Sequence, residues 1–138
     1  MTDGSGKNRI LEAMKIQARA VIPIVRALEK ELGKERAHAI VGQAIADNYV
    51  GWRTRLGFEK NSHPGGDGEN KPDFPVEFEE VENTDTAYGH NITGCAFADH
   101  FRKIGEPEVG ALMCCGVDFA AEELIRPDWE FTLSLIHI

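Results

Sequence analysis

Several features that would assign this 138-residue chain to a broad class of protein are missing from its sequence. Its 15 Lys and Arg residues are outnumbered by 23 Asp and Glu residues, which gives a formal net charge of −8. No run of Lys or Arg is present that would displace counterions from a nucleic acid. No apolar run approaches a membrane span, and the first residues lack the basic-then-apolar layout of a signal peptide. We therefore expect a cytoplasmic protein that binds neither nucleic acid nor a membrane.

Cysteine is also scarce, with only three residues, Cys95, Cys114 and Cys115. Their number is odd and two of them are adjacent, which argues against a disulfide framework and favours reduced thiols. The histidines His38, His63 and His90 lack a ligand spacing of the H-x-x-x-H kind. The sequence alone therefore identifies no cofactor and no metal.

What is present is the composition of a globular protein, 42% apolar and 28% charged. The length suits one core and is short for two, so we expect a single domain over residues 1–138. No internal repeat is visible.

Two helices are predicted at the N-terminus. Apolar residues recur at three- and four-residue steps over residues 11–32, and Gly33 ends the pattern. Pro23 predicts a kink or a break in this helix. A second helix is predicted from residue 34 to about 52, and the two should form a hairpin. The predicted apolar face of the second helix consists of Ala37, Val41, Ala44, Asn48 and Trp52.

The rest of the chain predicts a mixture of strands and short helices. Residues 59–73 resemble an exposed loop, and residues 74–81 and 87–93 two antiparallel strands. Short helices are predicted over residues 96–104, 106–113 and 118–124, and a further strand begins at residues 129–132. The predicted fold is α+β, with the N-terminal helical hairpin packed on a small antiparallel sheet and short intervening helices.

Cys95 is the first candidate site residue, because it follows a predicted strand and begins a predicted helix. Unpaired amides and the helix dipole at such a position favour a thiolate, which is a nucleophile or a metal ligand. Asp99 stands one turn further on, with His100 beside it. The alternative is that Cys95 is a small, buried core residue.

A second candidate lies in residues 112–118, where two thiols leave a predicted helix and Asp118 follows Cys115 by three residues. Neighbouring side chains of an extended segment point to opposite faces, so we expect only one of Cys114 and Cys115 to face a given pocket. The other is then core filler. The acidic residues Glu77, Glu79, Glu80 and Glu82 are interpreted as a solvated strand face.

Residues 91–132, NITGCAFADHFRKIGEPEVGALMCCGVDFAAEELIRPDWEFT, resemble the core of the L-2-amino-thiazoline-4-carboxylic acid hydrolase family. The stretch contains a Thr93-x-Cys95 step, the Gly105-to-Gly110 segment and the Cys115-x-x-Asp118 pair. The N-terminal hairpin is similar in layout. The resemblance implies a hydrolase that opens the ring of a cyclic isothiourea carboxylate toward a carbamoyl-cysteine product.

The implied reaction adds water to an amidine carbon and expels sulfur or nitrogen, which requires a base, an anion or thiolate, and a cationic anchor. The implied catalytic residues are Cys95, Cys115 and Asp118, and the implied substrate-binding residues are Asp99, Arg102 and Arg126. Two alternatives remain open: a non-catalytic module that binds a small molecule or a metal through thiolates, and a homo-oligomer in which the cysteines are inert core.

Members of this family usually continue with an Arg-Thr-Gln-Thr-type strand and a His-Cys-Asp-Phe-type segment, whereas residues 133–138 here are LSLIHI. We therefore expect residues 133–138 not to be native and the domain to lack its C-terminal segment. The resemblance implies that this segment would supply a further Cys, His and Asp.

Overall fold

The computed structural model describes residues 5–65 and 74–134, so part of the predicted loop and residues 135–138 lie outside it. None of the helices in the described ranges combines the length and apolar character that a membrane crossing requires. A helical hairpin comes first, then a two-stranded ribbon, then a helical C-terminal layer. The elements are α1 (Ser5–Leu32), α2 (Lys34–Leu56), β1 (Val76–Asn83), β2 (Tyr88–Cys95), α3 (Ala96–Lys103), α4 (Pro107–Gly110), a π-helical turn (Ala111–Cys115) and α5 (Gly116–Ile125).

Helix α1 continues through Pro23, so of the predicted kink or break the break is wrong and the kink stays a prediction. Proline removes one donor and frees the carbonyl four residues earlier, here that of Arg19. Both residues are exposed, so water can bind the freed carbonyl. Helix α1 ends at Leu32, as predicted, because Gly33 adopts a φ of 83°.

Helix α2 is longer than predicted and buries a different face. Ala37 and Val41 are buried, whereas Ala44, Asn48 and Trp52 are exposed, so the second half of the predicted face is wrong. Ile45 packs against the core instead. The side of α2 that faces the core carries Ala37, Val41 and Ile45, which are four residues apart. The prediction placed Ala44 after Val41, a step of three residues, and so selected a neighbouring face of the helix.

Strands β1 and β2 pair in antiparallel fashion, with Val76 opposite Cys95 and Asn83 opposite Tyr88, which confirms the two predicted strands. The strand predicted at residues 129–132 is wrong, because the sheet of the described residues has two strands. Residues 130–132 form no regular element, and a turn comes just before them, with the amide of Trp129 bonded to the carbonyl of Arg126 at 3.0 Å.

The loop after α2 is more tightly held than its composition predicted. Residues 61–65 are half-buried rather than exposed. The amide of Asn61 donates to the carbonyl of Ile125 at 2.7 Å, and its side-chain amide donates to Asp128 at 2.8 Å. Polar residues in this loop therefore tie it to the end of α5.

The predicted α+β class is confirmed, and the core lies between the hairpin and the C-terminal helices. Helix α2 packs on α5 and on the π turn, and α1 contacts α3 and α4. In the described part of the chain these helices, more than the sheet, are the hairpin's packing partners. The buried core residues are Ala18, Val25, Val41, Phe101, Val109 and Met113.

A close contact between Phe101 and Gly110 sets the position of α3 against α4. Phe101 is only 1% exposed. A Cβ atom at Gly110 would lie 2.6 Å from Cγ of Phe101, closer than packed carbon atoms approach. The turn between them is closed by a 2.8 Å bond from the amide of Glu106 to the carbonyl of Phe101. Only glycine at position 110 lets the two helices meet at this distance.

We predict that Gly110→Ala destabilises the protein by about 2 kcal/mol, because overpacking outweighs the gain in helix propensity. Gly42→Ala is the matched control: its added Cβ would meet Leu112 at 3.4 Å, an ordinary contact. Chemical denaturation of both variants measures the difference. Equal stability of the two would show that the Phe101 contact does not fix this packing.

Candidate active site

Cys95 occupies the junction between strand and helix that the sequence predicted. It is the last residue of β2 and the N-cap of α3, and its Sγ accepts a hydrogen bond from the amide of Ala98 at 3.4 Å. The next amide, that of Ala96, donates to the carbonyl of Pro75 at 3.0 Å. One of these bonds holds the thiol of Cys95 at the start of α3, and the other joins the first residue of α3 to the segment before β1.

Cys114 and Cys115 lie in the π-helical turn and not in an extended segment. The prediction that only one of them faces a given pocket is therefore wrong, since both line the same cavity as Cys95. Cys114 also packs against the hydrophobic core, with its Sγ 4.0 Å from Sδ of Met14. Single π turns inside helices are frequently found at functional sites.

The cavity between the three thiols is narrow. About 20 Å³ of it is open to the centre of a water molecule, which is room for about one water. Its walls are largely apolar, and Arg102 contributes the one charged side chain among the described lining residues. We call this space the thiol cavity; it is lined by Cys95, Phe97, Ala98, Phe101, Arg102, Pro107, Gly110, Ala111, Cys114 and Cys115.

Burial keeps two of the three thiols in their protonated form. It raises the pKa of Cys114 to about 12, and the neighbouring Cys115, Cys95 and Asp118 add to the effect. Burial also raises the pKa of Cys115, followed by the charge of Asp118. The low dielectric of the cavity and the nearby carboxylate both disfavour a thiolate. At neutral pH these two side chains are neutral thiols.

Asp118 is the group in this region that titrates near neutrality. The residue as a whole is exposed, yet atoms around its carboxyl group desolvate it, and this burial raises its pKa from 3.8 to about 6. The charge of Glu122, one helical turn further on, contributes the rest. Asp118 is close enough to Cys114 and Cys115 to raise the pKa of both thiols. The structure thus brings Cys95, Cys115 and Asp118 into one region.

The two candidate arginines have different surroundings. Arg102 lines the thiol cavity, and its guanidinium contacts Asp99 at 2.6 Å in an exposed pair. Arg126 is engaged elsewhere: its Nη1 donates to both carboxylate oxygens of Glu122 at 2.9 and 3.0 Å, and its Nε donates to the carbonyl of Ser62 at 2.8 Å. Asp99 and Arg126 are not among the described residues that line the cavity.

Another cluster of ligand-type side chains was not predicted. Glu29, His38 and Glu108 have their ligand atoms within 4.8 Å of one another, the one such group found among the described residues. His38 Nε2 lies 2.6 Å from Glu29, across the hairpin. Arg26 contacts Glu29 and Glu106, and Lys34 contacts Glu108 at 2.6 Å.

Both carboxylates of this cluster are thus already paired with a cation, and its contacts join α1, α2 and α4. The sequence signal for this cluster is the similar separation of Glu29 and His38 from the turn at Gly33. The two side chains therefore meet across the hairpin.

Comparison with known proteins identifies the family of this chain. A family model described as L-2-amino-thiazoline-4-carboxylic acid hydrolase matches residues 13–136, so the chain belongs to that family. Searches of curated proteins and of solved structures found no match. The description of the family implies a hydrolase.

We predict that Asp118→Asn raises the melting temperature at pH 7, because the ionised carboxylate is less favourable in the folded protein than in the unfolded chain. The folded pKa, about 6, lies above the ordinary value of 3.8. The destabilisation by Asp118 is therefore absent below pH 3.8 and develops as pH rises through about 6. Melting curves of both proteins between pH 3.5 and pH 8, as rough limits, measure the trend.

The control is Glu123→Gln, an exposed position on the same helix, which should shift the melting temperature little. An Asp118→Asn protein that is less stable than the original at pH 7 would contradict this account of the carboxyl group.

Proposed function

We propose that this chain hydrolyses a cyclic isothiourea that carries a carboxylate, of the 2-amino-thiazoline-4-carboxylate type, to a carbamoyl-cysteine product. Membership of the family supports the substrate class. The observation that carries the proposal is the Asp118 carboxyl group, whose pKa of about 6 suits a general base at neutral pH. Asp118 does not itself line the thiol cavity, but its charge acts on Cys115, which does.

In this proposal Asp118 activates water. Above pH 6 its carboxylate takes a proton from a water molecule, whose oxygen forms a bond to the amidine carbon of the ring. The tetrahedral intermediate then collapses, the bond from that carbon to ring sulfur or ring nitrogen breaks, and Asp118 returns the proton to the leaving atom. One water is consumed and no oxidant or reductant is required.

In this scheme the thiols do not act as nucleophiles. Cys115 is protonated at neutral pH because burial raises its pKa, which makes it a poor nucleophile. Cys95 and Cys115 instead form the wall against which the ring rests and keep bulk water from the reacting carbon. The cavity itself accepts a water and not a ring, so the substrate lies at its mouth.

Arg102 is the proposed anchor for the substrate carboxylate. It is at the cavity, and its side chain is 47% exposed. Its pair with Asp99 is a surface ion pair of small energy, and a substrate carboxylate offers the guanidinium a planar, bidentate partner. Arg126 does not fit this role, because Glu122 and Ser62 hold its guanidinium away from the thiols.

The direct test incubates the chain with L-2-amino-thiazoline-4-carboxylate and measures the carbamoyl-cysteine product. We expect turnover whose kcat/KM rises with pH through about 6, the pKa of Asp118. Asp118→Asn should lower kcat by about a hundredfold or more, the usual contribution of a general base. Cys115→Ala should lose turnover to a much greater extent than thermal stability.

Absence of product with a folded protein, or a rate that is flat across this pH range, would refute the proposal. Equal losses of folding and of turnover in Cys115→Ala would favour a purely structural role for that thiol.

The anchor is tested separately by Arg102→Ala. We expect KM to rise roughly tenfold while kcat changes little, since a charged hydrogen bond to the bound substrate is lost. Lys103→Ala is the matched control, because this neighbour is exposed and does not line the cavity. The same KM in both variants would exclude Arg102 as the anchor.

A further inference from the structure

A second and much larger cavity lies along β2, away from the thiols. We call it the β2 groove; the residues used below are Tyr88, His90, Glu122, Trp129, Glu130 and Phe131. Its volume is about 510 Å³, within the range of small-molecule sites. It shares no lining residue with the thiol cavity.

The charged side chains that line the β2 groove in the described part of the chain are acidic. Among the described residues that line it, Glu122 and Glu130 are the acidic ones, and none is Lys or Arg. Glu122 is bonded to Arg126, but through one nitrogen, and a carboxylate has about four acceptor positions. Acceptor capacity therefore remains on Glu122 for a ligand donor, and Glu130 is exposed.

The aromatic walls of the groove are fixed in place by His63. Its Nδ1 accepts from the amide of Gly65 at 3.1 Å, so its Nε2 carries the proton and donates to the carbonyl of Thr84 at 2.6 Å. The ring held in this way meets Trp129 edge-on at 5.3 Å between centroids and Tyr88 at 6.1 Å. The two walls are thus ordered before any ligand arrives.

The carboxylate is ordered in the same way. The Nε of Arg126, donating to Ser62, holds the guanidinium that contacts both oxygens of Glu122. Burial raises the pKa of Tyr88, followed by the charge of Glu80, so its hydroxyl stays protonated and neutral. A site with fixed aromatic faces and the exposed carboxylate of Glu130, next to the Glu122 carboxylate that Arg126 already pairs, favours a flat, positively charged ligand.

We propose that the β2 groove binds a planar organic cation of the amidinium or guanidinium class, with its flat face on Trp129 and its N–H groups directed to Glu122 and Glu130. A cation over a tryptophan face gains electrostatic attraction that a neutral analogue lacks. The planar N–H groups match the two oxygens of a carboxylate. An organic anion is excluded by the same carboxylates.

The test uses benzamidine, its neutral analogue benzamide and the anion benzoate as probes of the whole chain. The protein has two tryptophans, and Trp52→Phe leaves Trp129 as the single fluorophore. We expect a saturable change of Trp129 fluorescence with benzamidine, at a concentration roughly tenfold below that needed for benzamide, and none with benzoate. This readout requires no turnover, so its outcome is independent of the proposed hydrolysis.

Variants locate the site. Glu130→Gln should weaken benzamidine binding severalfold and leave benzamide unaffected, whereas Glu123→Gln, an exposed acidic residue outside the groove, should change neither. In Trp129→Phe, calorimetry should show weaker benzamidine binding. Benzamide or benzoate binding as tightly as benzamidine, no saturable binding of benzamidine, or equal effects of the two glutamate variants would each overturn the proposal.

Discussion

The contact between Phe101 and Gly110 is the constraint on which the rest of the site depends. Phe101 belongs to the helix that Cys95 caps, and Gly110 immediately precedes the π turn that carries the other two thiols. With no side chain at position 110, the aromatic ring lies directly on the α4 backbone. The strand-to-helix junction at Cys95 is thereby brought to the π turn, although about twenty residues of chain separate them.

This packing also determines the chemistry, because apolar surroundings disfavour charge. Burial is the largest cause that raises the pKa of Cys114, of Cys115 and of Asp118. The pKa of a thiol is already above neutral pH, so raising it further leaves the thiol protonated. The pKa of a carboxylic acid is ordinarily low, so raising it brings it close to neutral pH. Desolvation thus leaves Asp118 with a pKa near neutrality. Its ionised carboxylate lowers the stability of the folded protein.

Much of the fold was predictable from local patterns, and the misses have physical causes. Hydrophobic periodicity and the turn at Gly33 gave the hairpin, and alternation gave β1 and β2. The π turn was missed because its sequence, ALMCC, carries no signal that separates one extra residue per turn from an ordinary helix end. The strand near Phe131 was wrongly predicted because aromatic residues favour strands, whereas Trp129 here ends a turn and packs on His63.

For the site, the sequence indicated Cys95, Cys115 and Asp118 as candidate catalytic residues. It did not indicate whether Arg102 or Arg126 lies near them. Tertiary contacts decide that Arg102 is at the cavity and Arg126 is bound to Glu122. The central claim is that desolvation brings Asp118 to a pKa near 6. The most direct measurement is a carbon-13 NMR titration of the Asp118 carboxyl group, assigned through Asp118→Asn. A midpoint of about 6 agrees with the account, and a midpoint near the ordinary 3.8 contradicts it.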